Sequence, residues 1–247
     1  MKTAAPRIAL AALALGGLLA TLLAILPAAP TSAQTQTIKK AYLGQPMSDF
    51  ALPVLDGPAL KLSELKGKNV LLVFPRVFYA TGDDCSICGY QYAELADAWQ
   101  AGKWKEKFGL EVLYVFPFSP DVTRAWLARV PAMLEAVEGW KNPSAEDLKN
   151  EQAKRWMDIT RQAYPKKYAF TAESLPMPFK IVIDEQRELS KGLDLFRDEW
   201  SGGKGEQNIP SVFLLDKAGV VQFKLVGQHT LDRPTAAYLG KNMEAVL

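Results

Sequence analysis

The chain is poor in the residues that usually bind structural metals. It has two cysteines, Cys85 and Cys88, and one histidine, His229, among 247 residues. A structural zinc site usually takes four cysteine or histidine ligands. His229 lies far along the chain, in a polar segment typical of a protein surface. The sequence therefore argues against a metal site, and it implies no organic cofactor.

Most of the chain also lacks net charge. There are 29 basic and 27 acidic residues, but Lys2 and Arg7 lie in residues 1–33, which contain no acid, so the remainder has 27 of each. No basic stripe with interleaved aromatic residues is present, which excludes the electrostatic pattern of a nucleic-acid-binding protein. The roughly 210 residues that follow the first segment suffice for one domain with its own core.

Residues 1–33 have the pattern of an export segment. Lys2 and Arg7 precede an uncharged apolar run over residues 8–26, and small residues at 31–33 suit a cleavage site. A run of 19 residues is longer than the usual signal core and close to the roughly 20 that span a bilayer. Both a cleaved signal peptide and an N-terminal membrane anchor fit, and each places the rest of the chain outside the cytoplasm, in the periplasm or cell envelope. Residues 34–42 are predicted to be a polar tether.

Strand and helix patterns alternate from residue 43 onward, without internal repeats. Short apolar runs predict the strands 69–74, 110–116 and 180–184, and a hairpin of 212–215 and 220–226 with its turn at 216–219. Helical spacing of apolar residues predicts one helix after the cysteines, with Tyr92, Leu95, Ala96 and Trp99 on one face. Two more helices are predicted within 121–170, the first with Val130, Met133, Leu134 and Val137, and the second with Leu148, Trp156 and Ile159 and a cap at Ser144 and Asp147. A closing helix is predicted from about 232–234, with Leu239, Met243 and Val246 on one face. This order predicts an α/β, thioredoxin-like fold, a central mixed sheet flanked by helices.

Cys85 and Cys88 form a C-x-x-C pair at the predicted strand–helix junction. Unpaired backbone N–H groups and the helix dipole favour a thiolate at the first helical turn. We therefore interpret Cys85 as the nucleophile and Cys88 as the thiol that resolves a mixed disulfide. Asp83 and Asp84 should raise the pKa of Cys85 if their carboxylates point toward its sulfur.

A purely structural disulfide is the alternative interpretation of this pair. Closing so short a ring stabilises a fold by only about 2 kcal/mol in the chain-entropy model, against about 3 for a fifteen-residue loop. A domain of this size has enough core without such a bond. The spacing therefore favours redox chemistry.

The chain resembles the redoxin (AhpC/TSA) branch of the thioredoxin-like superfamily. The resemblance covers about residues 43–118 and 174–240 and rests on the entry segments 43–52 and 62–68 and on 209–216. It implies a single domain over 43–247, with a helical insertion at about 121–173. The branch includes peroxiredoxins and envelope thiol–disulfide oxidoreductases similar to TlpA and ResA. In the oxidoreductases a proline at the position of Pro210, preceded here by Ile209, is cis and packs beside the cysteines, so a cis bond is expected.

The peroxiredoxin pattern is incomplete in this chain. That pattern places a threonine three positions before the cysteine, whereas Thr81 lies four positions before Cys85, and Pro210 stands where many peroxiredoxins have an arginine. The oxidoreductase pattern has a departure too, because Asp84 replaces the usual tryptophan.

The sequence thus predicts an extracytoplasmic thiol–disulfide oxidoreductase. Its expected partners are thiols or disulfides of exported proteins and an electron donor that the sequence does not identify. A thiol peroxidase that uses Cys85, and a redox-inert binding module that uses the insertion as its surface, are the two alternatives. Trp126, Trp140 and Trp156 of the insertion either pack on the domain or shape a partner site.

Overall fold

A computed structural model describes residues 37–80 and 82–247. The predicted export segment and the start of the tether lie outside these residues, and so does Thr81. Within the described ranges, no helix combines the length and the apolar composition needed to cross a membrane.

The described chain forms eleven strands and six helices. The strands are β1 (Ala51–Val54), β2 (Gly57–Lys61), β3 (Asn69–Phe74), β4 (Phe78–Ala80), β5 (Asp83–Asp84), β6 (Leu110–Phe116), β7 (Lys180–Ile183), β8 (Phe196–Trp200), β9 (Gly203–Asn208), β10 (Ser211–Leu215) and β11 (Val221–Val226). The helices are α1 (Ser86–Ala101), α2 (Trp104–Phe108), α3 (Pro120–Lys141), α4 (Glu151–Ala163), α5 (Glu188–Gly192) and α6 (Ala236–Val246). Two short 3₁₀ turns, Leu62–Leu65 and Asp147–Lys149, complete the regular structure.

Seven strands form one mixed sheet in the order β11-β10-β3-β6-β7-β1-β2. The central strands β3, β6 and β7 run parallel, and the strands on either side of this centre pair antiparallel. All six residues of β3 are buried, as an unbroken apolar run covered on both faces predicts. The predicted mixed central sheet is therefore confirmed.

Alternate residues of β3 serve two separate cores. Leu71 and Val73 pack into the core beneath α1, α3 and α6, whereas Val70, Leu72 and Phe74 pack into the core on the opposite face. The cysteines belong to the first of these cores. Because β3 leads toward the cysteine loop, the sheet fixes the position from which the loop departs.

Helix α3 of the insertion packs directly on the cysteine helix. Its predicted apolar stripe is buried, and a Cβ added to Gly89 of α1 would lie 2.8 Å from Sδ of Met133. Glycine at this position therefore allows the close approach of the two helices.

Two helix boundaries differ from prediction. Ser144 and Asp147 cap the 3₁₀ turn, and α4 begins later, where the Asn150 side chain accepts hydrogen bonds from two backbone N–H groups. Ile159 is 42% exposed, because α4 lies at the surface and buries little of its predicted stripe. The closing helix begins at Ala236, after a loop over 227–235.

Candidate active site

The two cysteines lie where β5 gives way to α1. Cys85 is the N-cap of α1, and its carbonyl oxygen accepts a hydrogen bond from the Cys88 N–H at 2.8 Å. Both are free thiols, and their sulfur atoms lie 2.6 Å apart in a hydrogen bond. Cys88 is fully buried, whereas Cys85 is 4% exposed. The pair can therefore join with little movement, and Cys85 is the cysteine that retains some exposure.

Arg233 contacts both sulfur atoms. Its Nη2 lies 3.7 Å from Sγ of Cys85 and 3.6 Å from Sγ of Cys88, and its Nη1 donates to the Thr230 carbonyl oxygen at 2.9 Å. Nε of Arg233 is buried and has no hydrogen-bond partner among the described residues. Sequence reasoning missed this residue, because it lies far along the chain in a polar loop.

The pair shares one proton more readily than it holds two. Burial alone would raise the pKa of Cys88, but the hydrogen bond with Cys85 and the charge of Arg233 outweigh it and lower this pKa to about 5. Burial, together with the hydrogen bond and charge of Cys88, raises the pKa of Cys85 well above its ordinary value. The negative charge of the pair offsets the burial of Arg233 and raises the pKa of the guanidinium. The site thus stabilises one thiolate within the pair.

The acids before Cys85 do not govern this balance. Arg129 of α3 holds the Asp84 carboxylate through two hydrogen bonds of 2.6 and 2.9 Å, which offsets its charge. Asp83 is exposed. The raised pKa of Cys85 has burial and Cys88 as its main causes, and neither acid is among them. Thr81, the threonine one position away from its place in the peroxiredoxin pattern, lies outside the described residues.

A second buried guanidinium, that of Arg76, supports the loop before the cysteines. Nε donates to Oε1 of Gln207 at 2.6 Å, Nη2 to the Trp200 carbonyl oxygen at 2.7 Å, and Nη1 to Oγ1 of Thr230 at 3.2 Å. The group lies 4.7 Å from the Tyr79 ring centroid and 5.0 Å from that of Trp200. No carboxylate of the described chain pairs with it, and burial lowers its pKa. Arg76 therefore connects the cysteine loop, the β8–β9 hairpin and the loop after β11.

The prediction of a cis bond at Pro210 is wrong. The described chain contains no cis peptide bond. The Ile209 N–H donates to the Leu195 carbonyl oxygen at 2.6 Å, and the Pro210 carbonyl oxygen accepts from the Gly227 N–H at 2.9 Å. These bonds hold the chain between β9 and β10 with a trans bond, and Pro210 is a proline at the start of a strand. Neither Ile209 nor Pro210 lines the pocket beside Cys85.

That pocket has a volume of about 520 Å³. Cys85 and Ile87 border it at the start of α1, and Tyr79 borders it before the cysteines. Trp140 and Trp156 of the insertion complete its aromatic lining. Residues of the predicted insertion therefore contribute to the surroundings of Cys85.

Outside this pair, the described residues offer no cluster of three histidine, cysteine or acidic side chains that could hold a metal. His229 is exposed, as its polar surroundings predict, and its Nδ1 accepts a hydrogen bond from the Leu231 N–H at 3.2 Å.

Comparison with known proteins identifies the family. Residues 43–224 match the AhpC/TSA family. The reduced 2-Cys peroxiredoxin of Plasmodium vivax is similar in structure, with 17% identity, a TM-score of 0.51, and 83% of this chain and 82% of that chain covered. AhpC of Enterococcus faecalis is also similar, with 14% identity, a TM-score of 0.51, and 83% of this chain and 92% of that chain covered. No curated protein matches the chain. At such identities the structures support the fold, and the family match supports thiol-based redox activity. The chain belongs to the AhpC/TSA family.

Proposed function

We propose that the protein is an extracytoplasmic thiol–disulfide oxidoreductase that exchanges disulfides with exported proteins through Cys85 and Cys88. The observation that carries the proposal is the 2.6 Å separation of the two sulfur atoms beside Arg233. A resolving thiol already in contact with the nucleophile favours release of a mixed disulfide over its accumulation. The composition of residues 1–33 supports the location.

In this mechanism, the shared proton passes from Cys85 to Cys88, and the thiolate then lies on Cys85, the cysteine that retains some exposure. Arg233 contacts both sulfur atoms and so stabilises the charge before and after this transfer. The Cys85 thiolate attacks a substrate disulfide, forms a mixed disulfide and releases one substrate thiolate. Cys88 gives its proton to the released substrate thiolate and attacks Sγ of Cys85, and the bond between Cys85 and the substrate sulfur breaks to release the second substrate thiolate. The protein gains one disulfide, and the substrate gains two electrons. The reverse sequence oxidises a substrate dithiol.

Single cysteine variants test this order of events. With Cys85→Ser, exchange with glutathione disulfide should be abolished, because the accessible nucleophile is gone. With Cys88→Ser, a mixed disulfide on Cys85 should accumulate and be visible by mass spectrometry. Retained exchange in the Cys85 variant would contradict the assignment.

Peroxide reduction is a second candidate, and the position of Arg233 favours it. The sequence pattern lacked an arginine at the expected place, but Arg233 brings a guanidinium to 3.7 Å from Sγ of Cys85. A guanidinium there can polarise a peroxide while the Cys85 thiolate attacks one oxygen. The oxygen–oxygen bond breaks, Cys85 becomes a sulfenic acid, and the proton of Cys88 goes to the leaving oxygen to form water. The Cys88 thiolate then displaces the sulfenic hydroxyl group to form the disulfide, and that hydroxide takes a proton from solvent to form a second water. Oxidation of Cys85 by one equivalent of hydrogen peroxide, faster than that of free cysteine, would favour this candidate over disulfide exchange.

A further inference from the structure

We propose that the pocket beside Cys85 binds a bulky apolar side chain adjacent to the reacting cysteine of a substrate polypeptide, with Trp140 and Trp156 as its specificity-determining residues. This inference rests on the proposed function, because it assigns a substrate class to the same site.

The three tryptophans of the insertion occupy different environments. Trp126 is fully buried, and its indole N–H donates to the Val77 carbonyl oxygen at 2.9 Å. Trp140, near the end of α3, and Trp156, in α4, are half-buried and pack edge to face, with ring centroids 5.7 Å apart. Trp126 therefore belongs to the core, whereas the Trp140–Trp156 pair leaves aromatic surface uncovered beside the pocket.

Cys85 and this aromatic surface line one cavity. Cys85, Trp140 and Trp156 all line it, and Cys85 is otherwise buried. A group large enough to fill this pocket beside Cys85 therefore lies against the indole rings. Interactions at these rings thus act on the same substrate that reacts at the sulfur.

The size and lining of the pocket favour a large apolar occupant. Its volume of about 520 Å³ falls in the range of pockets that enclose drug-sized ligands, and hydrogen peroxide would leave most of it empty. Aromatic side chains bury large areas and pack edge to face against other rings. A phenylalanine or tryptophan beside the substrate cysteine meets both conditions.

Charge at the pocket adds a second preference. Asp83 and Asp84 both line the pocket, but Arg129 offsets the charge of Asp84. Asp83 is exposed and forms no ion pair with another described residue. A basic residue near the substrate cysteine therefore complements the pocket better than an acidic one.

Peptide exchange with the full chain tests the proposal. The probes are short peptides with one cysteine, held as a mixed disulfide with 5-thio-2-nitrobenzoate, in which the residue after the cysteine is phenylalanine or glycine. The phenylalanine peptide should react about tenfold faster, because a well-placed apolar side chain contributes roughly that discrimination. Trp156→Ala and Trp140→Ala should each bring this ratio toward one. Trp99→Ala is the matched control, since Trp99 is also half-buried but packs against Phe179 outside the pocket, and it should keep the ratio.

Several results would overturn the inference. Equal rates for the two peptides, or an equal loss of the ratio in the Trp99 variant, would show that the pocket does not select the side chain. Loss of cumene hydroperoxide reduction in the Trp156 variant with an unchanged peptide ratio would assign the pocket to an organic hydroperoxide instead. Exchange with glutathione disulfide, measured in parallel, distinguishes failure of the proposed function from failure of side-chain selection by the pocket. If it is absent, the proposed function fails, and if it is present without side-chain selection, only this inference fails.

Discussion

Replacing Arg233 with methionine removes the guanidinium that contacts both sulfur atoms, at 3.6 and 3.7 Å. Opposite unit charges at about 4 Å attract by about 4 kcal/mol at the effective dielectric constant of about 20 that suits protein sites. Since about 1.4 kcal/mol corresponds to one pKa unit, loss of this attraction should raise the pKa of Cys88 by at most about 3 units. Hydrogen bonds to charged groups contribute about 1.5–3 kcal/mol, and on that basis the pKa of Cys88 should rise by about 1–2 units.

We therefore expect the pKa of Cys88 to rise from about 5 to about 7 in the Arg233→Met variant. The ultraviolet absorbance of the thiolate, followed against pH in the fully reduced protein, measures this change. Arg233→Lys keeps the positive charge and should shift the midpoint less. Arg124→Met is a remote control, because Arg124 pairs with Asp56 and Asp121, and it should leave the midpoint unchanged.

An unchanged midpoint in the Arg233→Met variant would refute the electrostatic role assigned to this residue. A shift of the same size in the Arg124 variant would instead attribute the effect to the net charge of the protein.

Two further predictions concern stability. Between about pH 5 and pH 9.0 the unfolded chain binds two protons at Cys85 and Cys88, whereas the folded chain binds one. The free energy of unfolding of the reduced protein should therefore rise with pH in this range, by up to about 1.4 kcal/mol per pH unit. Above pH 9.0 only the folded state keeps a proton on the pair, so the free energy of unfolding should fall with pH. Urea unfolding compared with a variant in which both cysteines are serine isolates this contribution, and parallel pH profiles would contradict it. Gly203→Ala should destabilise the fold by about 1–3 kcal/mol, because a Cβ there would overlap the Tyr79 carbonyl oxygen and the Arg76 guanidinium. Gly139→Ala in α3 is the control, because a Cβ there meets open space, and it should stabilise the fold by about 0.5–1 kcal/mol. Equal unfolding midpoints for the two variants would show that the crowding at Gly203 does not destabilise the fold.

The central sheet could be predicted because its physical signal is local. Strand 69–74 is apolar after Asn69, strand 110–116 is apolar except at Glu111, and burial on both faces leaves little room for other residue types. The contact between Cys85 and Cys88 follows in the same way from a spacing of one helical turn. Both features are determined by neighbours in sequence.

The arginines of the site are set by tertiary contacts. Arg233 lies 148 residues from Cys85, and nothing in its polar loop indicates a contact with sulfur. Arg76 did leave a signal, because a charged residue two positions after a buried apolar strand is close enough to the core to need buried partners. Those partners, Gln207 and Trp200, come from a hairpin that sequence reasoning did not predict.

That hairpin, β8–β9, has a polar and glycine-rich sequence without clear alternation. Its turn, at Ser201 and Gly202, has positive φ at both residues, and the Ser-Gly pair is a turn signal that could have marked it. The contacts of Arg76 and the close approach of Gly203 to Tyr79 hold the hairpin in place. Such stabilisation depends on distant residues, so the strand pattern alone could not reveal it.

The redox potential of the Cys85–Cys88 couple distinguishes a pair that exchanges disulfides from one that only links the chain. The full chain is equilibrated in thiol–disulfide buffers of graded potential, alkylated, and analysed by mass spectrometry. Disulfide exchange through this pair requires a reversible two-electron couple between about −270 and −120 mV, the range from thioredoxin to a strong oxidant. A disulfide that resists reduction below about −300 mV would mark the pair as structural and exclude catalytic disulfide exchange.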